Sequence, residues 1–128
     1  FVLRDAGGQV NYRKERGRNG ETAAAAFLEQ RGVRILLRNY RCPFGEIDLI
    51  GKEKDTILII EVKMRSDREQ GYACEAVDMR KQYKICRIYD YFRMRYRLDE
   101  YVPVRFDVVE VDGSYDCRWI RNAFPYQY

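Results

Sequence analysis

The chain has 128 residues, 46% of them apolar, and carries a net charge of +4 from 24 Lys and Arg against 20 Asp and Glu. That length and apolar share fill one hydrophobic core without disulfides or a structural metal. No apolar run is long enough to span a bilayer and no charged leader precedes an apolar stretch, so membrane insertion and secretion are not expected. Histidine is absent, which removes Ser-His-Asp and Cys-His nucleophile systems; any catalysis must run on carboxylates, lysine, tyrosine or a metal.

Residues 1–16 lack periodicity and contain Gly7 and Gly8, so they are expected to form a peripheral arm, with a single domain over 17–128. From Gly20-Glu21 the run Thr22 to Gln30 is rich in strong helix formers, and Gly32 stands where a left-handed cap would end a short helix. Glu21 falls in its first turn, where the helix dipole favours an anion, so a capping role and a catalytic role are about even on local grounds. Val33 to Arg41 reads as a strand, Pro43-Phe44-Gly45 as a break, and Glu46 to Gly51 as a second strand. After the turn Lys52 to Asp55 comes a third, Thr56 to Met64, and the three form an antiparallel meander. Ile57 to Ile60 is a continuous apolar run, as in a central strand covered on both faces.

Ser66 to Gly71 reads as a polar loop, and Glu75 to about Tyr96 as a long helix. Its Val77, Lys81, Ile85, Ile88 and Phe92 share one face, which puts Lys81 on an otherwise apolar stripe near the sheet edge. Val104 to Val111 and Arg118 to Arg121 complete an α/β arrangement with a mixed sheet. Cys42, Cys74, Cys86 and Cys117 form no C-x-x-C pair; with no histidine a zinc site lacks its usual ligands, and reduced thiols suit a cytoplasmic protein.

The modest net charge hides local clusters: Arg31, Arg34, Arg38 and Arg41, then Arg80, Lys81, Lys84, Arg87, Arg93, Arg95 and Arg97. Tyr83, Tyr89, Tyr91, Phe92 and Tyr96 interleave with the second. Basic and aromatic residues together suit phosphate contact and base stacking, while a solvated helix face with its aromatics turned inward accounts for the same segment.

The charged end of the third strand is the chemical signal. Glu61 and Lys63 project to one side of the strand and Val62 to the other, and Asp48 closes Gly45-Glu46-Ile47-Asp48 on the strand before. Two carboxylates and an ammonium at one sheet rim hold Mg²⁺ through oxygen and leave positions for water and phosphate. The backbone carbonyl of Val62 is a further oxygen within the same segment. Phosphodiester hydrolysis is the chemistry this set suggests.

An acidic residue on the first helix, Asp on the second strand and Glu-x-Lys on the third is an order that resembles the PD-(D/E)xK nuclease superfamily. A closer resemblance, to the YraN family, rests on Gly17-Arg18-Asn19-Gly20-Glu21, Arg38-Asn39-Tyr40-Arg41, Gly45-Glu46-Ile47-Asp48-Leu49-Ile50 and Glu61-Val62-Lys63-Met64-Arg65-Ser66. It continues through Glu75-Ala76-Val77-Asp78, Arg80-Lys81-Gln82, Arg105-Phe106-Asp107-Val108-Val109 and Asn122-Ala123-Phe124. That family is described as predicted endonucleases distantly related to Holliday-junction resolvases. The resemblance implies a restriction-endonuclease-like α/β fold with a central mixed five-stranded sheet flanked by helices. It implies Glu21, Asp48, Glu61 and Lys63 as catalytic residues, the three acids holding Mg²⁺ with Mn²⁺ as a substitute, and Lys81 and Gln82 as accessory residues. Arg18, Arg41, Arg65 and Arg80 are candidates for gripping the nucleic-acid backbone. The activity implied is cleavage of DNA rather than RNA, branched DNA included, with a non-catalytic nucleic-acid-binding module as the alternative. Resolvases act as homodimers because two symmetric strands are cut, although no interface is readable here. Met64 stands where the family commonly has Thr, a position that strand alternation turns away from the site.

Overall fold

The computed structural model describes residues 12–65 and 77–128, with side chains from Arg18 onward. Residues 1–11 of the arm expected over 1–16, the loop Ser66 to Gly71, Cys74 and the helix start at Glu75 lie outside the described residues, while residues 12–16 belong to the first helix rather than to an arm. Seven elements follow in order: α1 (Tyr12–Glu29), β1 (Arg34–Cys42), β2 (Gly45–Glu53), β3 (Thr56–Met64), α2 (Met79–Arg95), β4 (Val104–Val111) and β5 (Cys117–Phe124). The strands form one sheet in the order β1-β2-β3-β4-β5, antiparallel except for the parallel β3–β4 pair. A parallel pair needs a crossover, and α2 supplies it.

The apolar run of β3 explains the layering. Ile57 and Ile59 face one core with Ile85, Ile88 and Phe92 of α2. Leu58 and Ile60 face a second core with Ala24, Ala25 and Leu28 of α1. The central strand is thus covered on both faces, as its sequence predicts, and each fully buried Leu or Ile contributes roughly 1.5–3 kcal/mol. Among the described residues no helix is long and apolar enough to cross a membrane. Cys42, Cys86 and Cys117 are free thiols.

Helix α1 starts at Tyr12, well before the expected start near Gly20. Glycine is a poor helix former, but Gly20 is buried and a Cβ there would run into the Met64 sulfur. The close approach of α1 to β3 outweighs the local cost and sets Glu21 beside the end of β3. Gly32 adopts the expected left-handed cap, with φ +91. Helix α2 begins at Met79, where Asp78 accepts a hydrogen bond from the Lys81 backbone N–H at 2.8 Å. Strand β5 runs from Cys117 to Phe124, longer than the expected Arg118 to Arg121, because its pairing with β4 continues to Phe106↔Phe124.

Asp107, within the family-like motif Arg105 to Val109, serves the fold. Its carboxylate is 1% exposed and accepts from Arg105 Nε and Nη2, Trp119 Nε1 and the Asn122 backbone N–H, all at 2.9 Å. It joins β4 to β5 in mid-strand, opposite Ile60 on the α1 side of the sheet. Asp107→Ala strands these donors and should cost about 3–5 kcal/mol, read as a lower urea midpoint with an unchanged slope. A loss under about 1 kcal/mol would show the network to be dispensable.

Candidate active site

Strands β2 and β3 stay paired from Glu53↔Thr56 to Leu49↔Ile60 and then part: beyond that point β2 pairs only with β1 and β3 only with β4. The cause lies on β1. Asn39 has φ 53, a left-handed conformation that Asn tolerates better than most residues. The register on either side sets it opposite Asp48. Leu37 and Tyr40 on β1, and Ile47 and Ile50 on β2, therefore face the same core at three-residue spacing, where regular strands would alternate. This kink opens a fork between β2 and β3.

In the fork the Val62 N–H points towards β2 with no ladder carbonyl to meet it, and Asp48 Oδ2 accepts it instead at 2.8 Å. Glu61 lies beside Asp48 and is 8% exposed. Burial is the largest influence on Asp48, followed by the Glu61 charge, with Glu21 and Glu46 adding to both; despite the Val62 hydrogen bond the carboxyl is pushed up to about 8. Burial likewise raises Glu61, offset in part by the Lys81 and Lys63 charges. The pair is a pocket of negative charge held out of water and short of a cation.

Lys81 supplies one partial answer. Its Nζ sits 3.0 Å from Glu61 Oε2, so the apolar stripe of α2 does deliver this lysine to the acidic cluster. Burial disfavours the ammonium, but the charges of Glu61, Asp48 and Asp78 outweigh it and hold its pKa above the usual value. Lys63 is exposed and near enough for its charge to be felt at Glu61.

The structure thus brings Asp48, Glu61, Lys63 and Lys81 together. Glu21 is half-buried on α1 and its charge reaches Asp48, but among the described residues no three acidic side chains are close enough to hold one ion between them. Met64 packs into the core on the α1 side, away from the acids. The expected backbone grips divide. Arg18 and Arg80 are exposed, and Arg41 is exposed while paired with Glu46 at 3.2 Å. Arg65 donates to the buried Glu110 at 3.2 Å. Gln82 donates to the Val77 carbonyl at 2.8 Å and accepts from Gln127 at 3.2 Å, so it ties the start of α2 to the C-terminal segment. In the basic and aromatic stretch of α2, Tyr89 and Phe92 are core residues, whereas Tyr83 is 49% exposed with Arg87 stacked on its ring at 4.5 Å.

Two contributors escape sequence reasoning. Glu46 adds its charge to both acids, and its place two residues before Asp48 is the only sequence signal for it. Asn39 makes the fork; an Asn inside an apolar strand pattern is the trace it leaves.

Comparison with known proteins adds the kinship. A relative from Clostridium acetobutylicum is 45% identical over 116 residues, spanning 87% of this chain and 94% of its own. One from Nitrosomonas eutropha is 40% identical over 111 residues, with the same shares. One from Caldicellulosiruptor saccharolyticus is 42% identical over 117 residues, spanning 88% and 98%. All three carry the name UPF0102 protein. Among solved structures, a chain of an EndoMS–dsDNA2 complex superposes with a TM-score of 0.38 at 18% identity, covering 83% of this chain and 39% of that one. Pyrococcus furiosus SfsA in complex with Ca²⁺ gives 0.38 at 14% identity, covering 93% and 74%. Both scores are too low to establish a common fold. The profile described as "Uncharacterised protein family UPF0102" matches residues 20–111, and the chain belongs to that family, the one its motifs resemble under the name YraN.

Proposed function

We propose that the protein is a metal-dependent endonuclease that hydrolyses phosphodiester bonds in DNA, branched DNA included. The observation that carries this reading is the fork, where Asp48 and Glu61 are forced together out of water with Lys63 and Lys81 at their edge. Folding two carboxylates into one pocket costs stability, and groups perturbed by burial and like charge gather at functional sites.

The donor set fits Mg²⁺. It offers hard carboxylate oxygens, and Mg²⁺ is commonly held by one or two carboxylates together with substrate phosphate and water. Asp48 and Glu61 would hold the ion, with the Val62 carbonyl as a further oxygen and Glu21 acting through water. Bound there, the ion would act as a Lewis acid on the phosphate and lower the pKa of its water. The chain's own residues do the rest. The Val62 N–H fixes Asp48 in one rotamer. Lys63 orients the attacking water and stabilises charge as it develops on phosphate oxygens, where preorganised cations count most. Lys81 screens Glu61 until a cation arrives.

The test is incubation of labelled duplex, single-stranded and four-way DNA with Mg²⁺ or Mn²⁺. Strand cleavage that EDTA abolishes is the expected result. Tight binding with no cleavage under either metal would replace this reading with that of a non-catalytic binding module.

A further inference from the structure

One row of charge runs from Lys63, at the edge of the acidic fork, across the sheet away from it. The registers Lys63↔Glu110 and Glu110↔Arg118 set these three residues side by side across β3, β4 and β5. Paired residues share a face. The row lies one step of alternation beyond Glu61, Val108 and Ile120 on the α2 side of the sheet. Arg65 extends the β3–β4 pairing, with its N–H donating to the Val111 carbonyl at 2.7 Å. By alternation it projects to the same side as Lys63.

At the centre is Glu110, 5% exposed. Its Oε2 takes Arg65 Nη1 at 3.2 Å, while Oε1 has no hydrogen-bond partner and meets Arg118 Nη1 only at 4.0 Å. Among the described residues Arg65 and Arg118 thus border Glu110 from two sides, with Lys63 next to it in the row. Arg118, with 61% of its side chain exposed, spends little of its donor capacity on Glu110, and a guanidinium has five N–H groups in a fork that matches phosphate.

We infer that Arg65 and Arg118, drawn together by Glu110 beside Lys63, form a second phosphate-binding site that grips the nucleic-acid backbone next to the bond being cut. The inference rests on the nuclease reading of the fork. Two strand spacings separate β3 from β5, about 10 Å, so the phosphate held there lies within about three nucleotides of axial rise of the scissile one.

Salt dependence of binding tests the site. The Kd for a short labelled DNA duplex is measured in Ca²⁺ across a salt series for the wild type, Arg118→Ala, Arg118→Lys and Arg34→Ala. Arg34 is an exposed control at the opposite end of the sheet, paired with Lys52. Loss of one phosphate contact lowers the slope of log affinity against log salt by about one. Arg118→Ala should show that drop and several-fold weaker binding at low salt. Arg118→Lys should retain most of the slope, and Arg34→Ala all of it. An unchanged slope in Arg118→Ala, or an equal drop in Arg34→Ala, overturns the second site while leaving the fork untouched. A wild type that binds no nucleic acid removes both readings. Because Arg118 is exposed, thermal midpoints should match across the series, so a binding change cannot be assigned to unfolding.

Discussion

Asp48→Asn should abolish DNA cleavage and at the same time make the protein harder to unfold. The activity loss is expected to be on the order of 10³-fold or more, since it removes one of two carboxylates from a site whose task is charge stabilisation. The stability gain comes from the same atoms. Asp48 is half-buried beside Glu61 and pushed up to about 8, so at neutral pH the native state must either take up a proton or hold two like charges together. Asn keeps an oxygen for the Val62 N–H and can offer its amide to Glu61. A thermal midpoint about 5 °C higher without divalent ions corresponds to one or two kcal/mol in a chain of this size. Single-turnover cleavage and calorimetry on one preparation read both effects. Retained cleavage would sink the nuclease proposal; a lowered midpoint would sink the electrostatic account of the fork.

The metal-free wild type should lose stability as pH rises, and Mg²⁺ should restore it. Between the ordinary Asp value of 3.8 and about 8, folded Asp48 holds a proton that the unfolded chain has released. The native state then binds more protons than the unfolded one, and stability falls with rising pH across that window. Glu61, also raised, acts in the same sense. Lys81, raised above 10.5, contributes stability that is lost only at higher pH and leaves the window unchanged. Each proton of difference is worth about 1.4 kcal/mol per pH unit, so the midpoint should drop roughly 10–15 °C between about pH 5 and about pH 8. Mg²⁺ at a hundredfold excess over its Kd should add back about 2.7 kcal/mol, more at the upper end than the lower because protons compete for the same oxygens. In Asp48→Asn both the pH slope and the Mg²⁺ response should shrink. A midpoint that rises over this range, or one indifferent to Mg²⁺, would contradict the buried pair.

These expectations describe a site in which function works against stability. Asp107, in mid-strand on β4, is more deeply buried than Asp48 but fully satisfied by donors. Asp48 has one backbone donor and a like-charged neighbour. The two aspartates look alike in sequence, and only their partners separate a brace from a reactive group.

The sequence by itself determined the elements whose pattern is local. The apolar run of Thr56 to Met64 bounded by turns marks β3, Val104 to Val111 marks β4, and Gly32 closes α1 because a left-handed cap favours Gly; all three stand where the pattern puts them. Helical spacing also sufficed to bring Lys81 to the acids, since a stripe of period 3.6 fixes which residues share a face. Only the tertiary structure decided the rest. The length of α1 depends on Gly20 meeting Met64, and the extent of β5 on its register with β4. The fork depends on Asn39 standing opposite Asp48, and the row of charge through Glu110 on pairing across three strands. Each of these sets residues far apart in the chain side by side, and periodicity within a segment carries no information about its neighbour across the sheet.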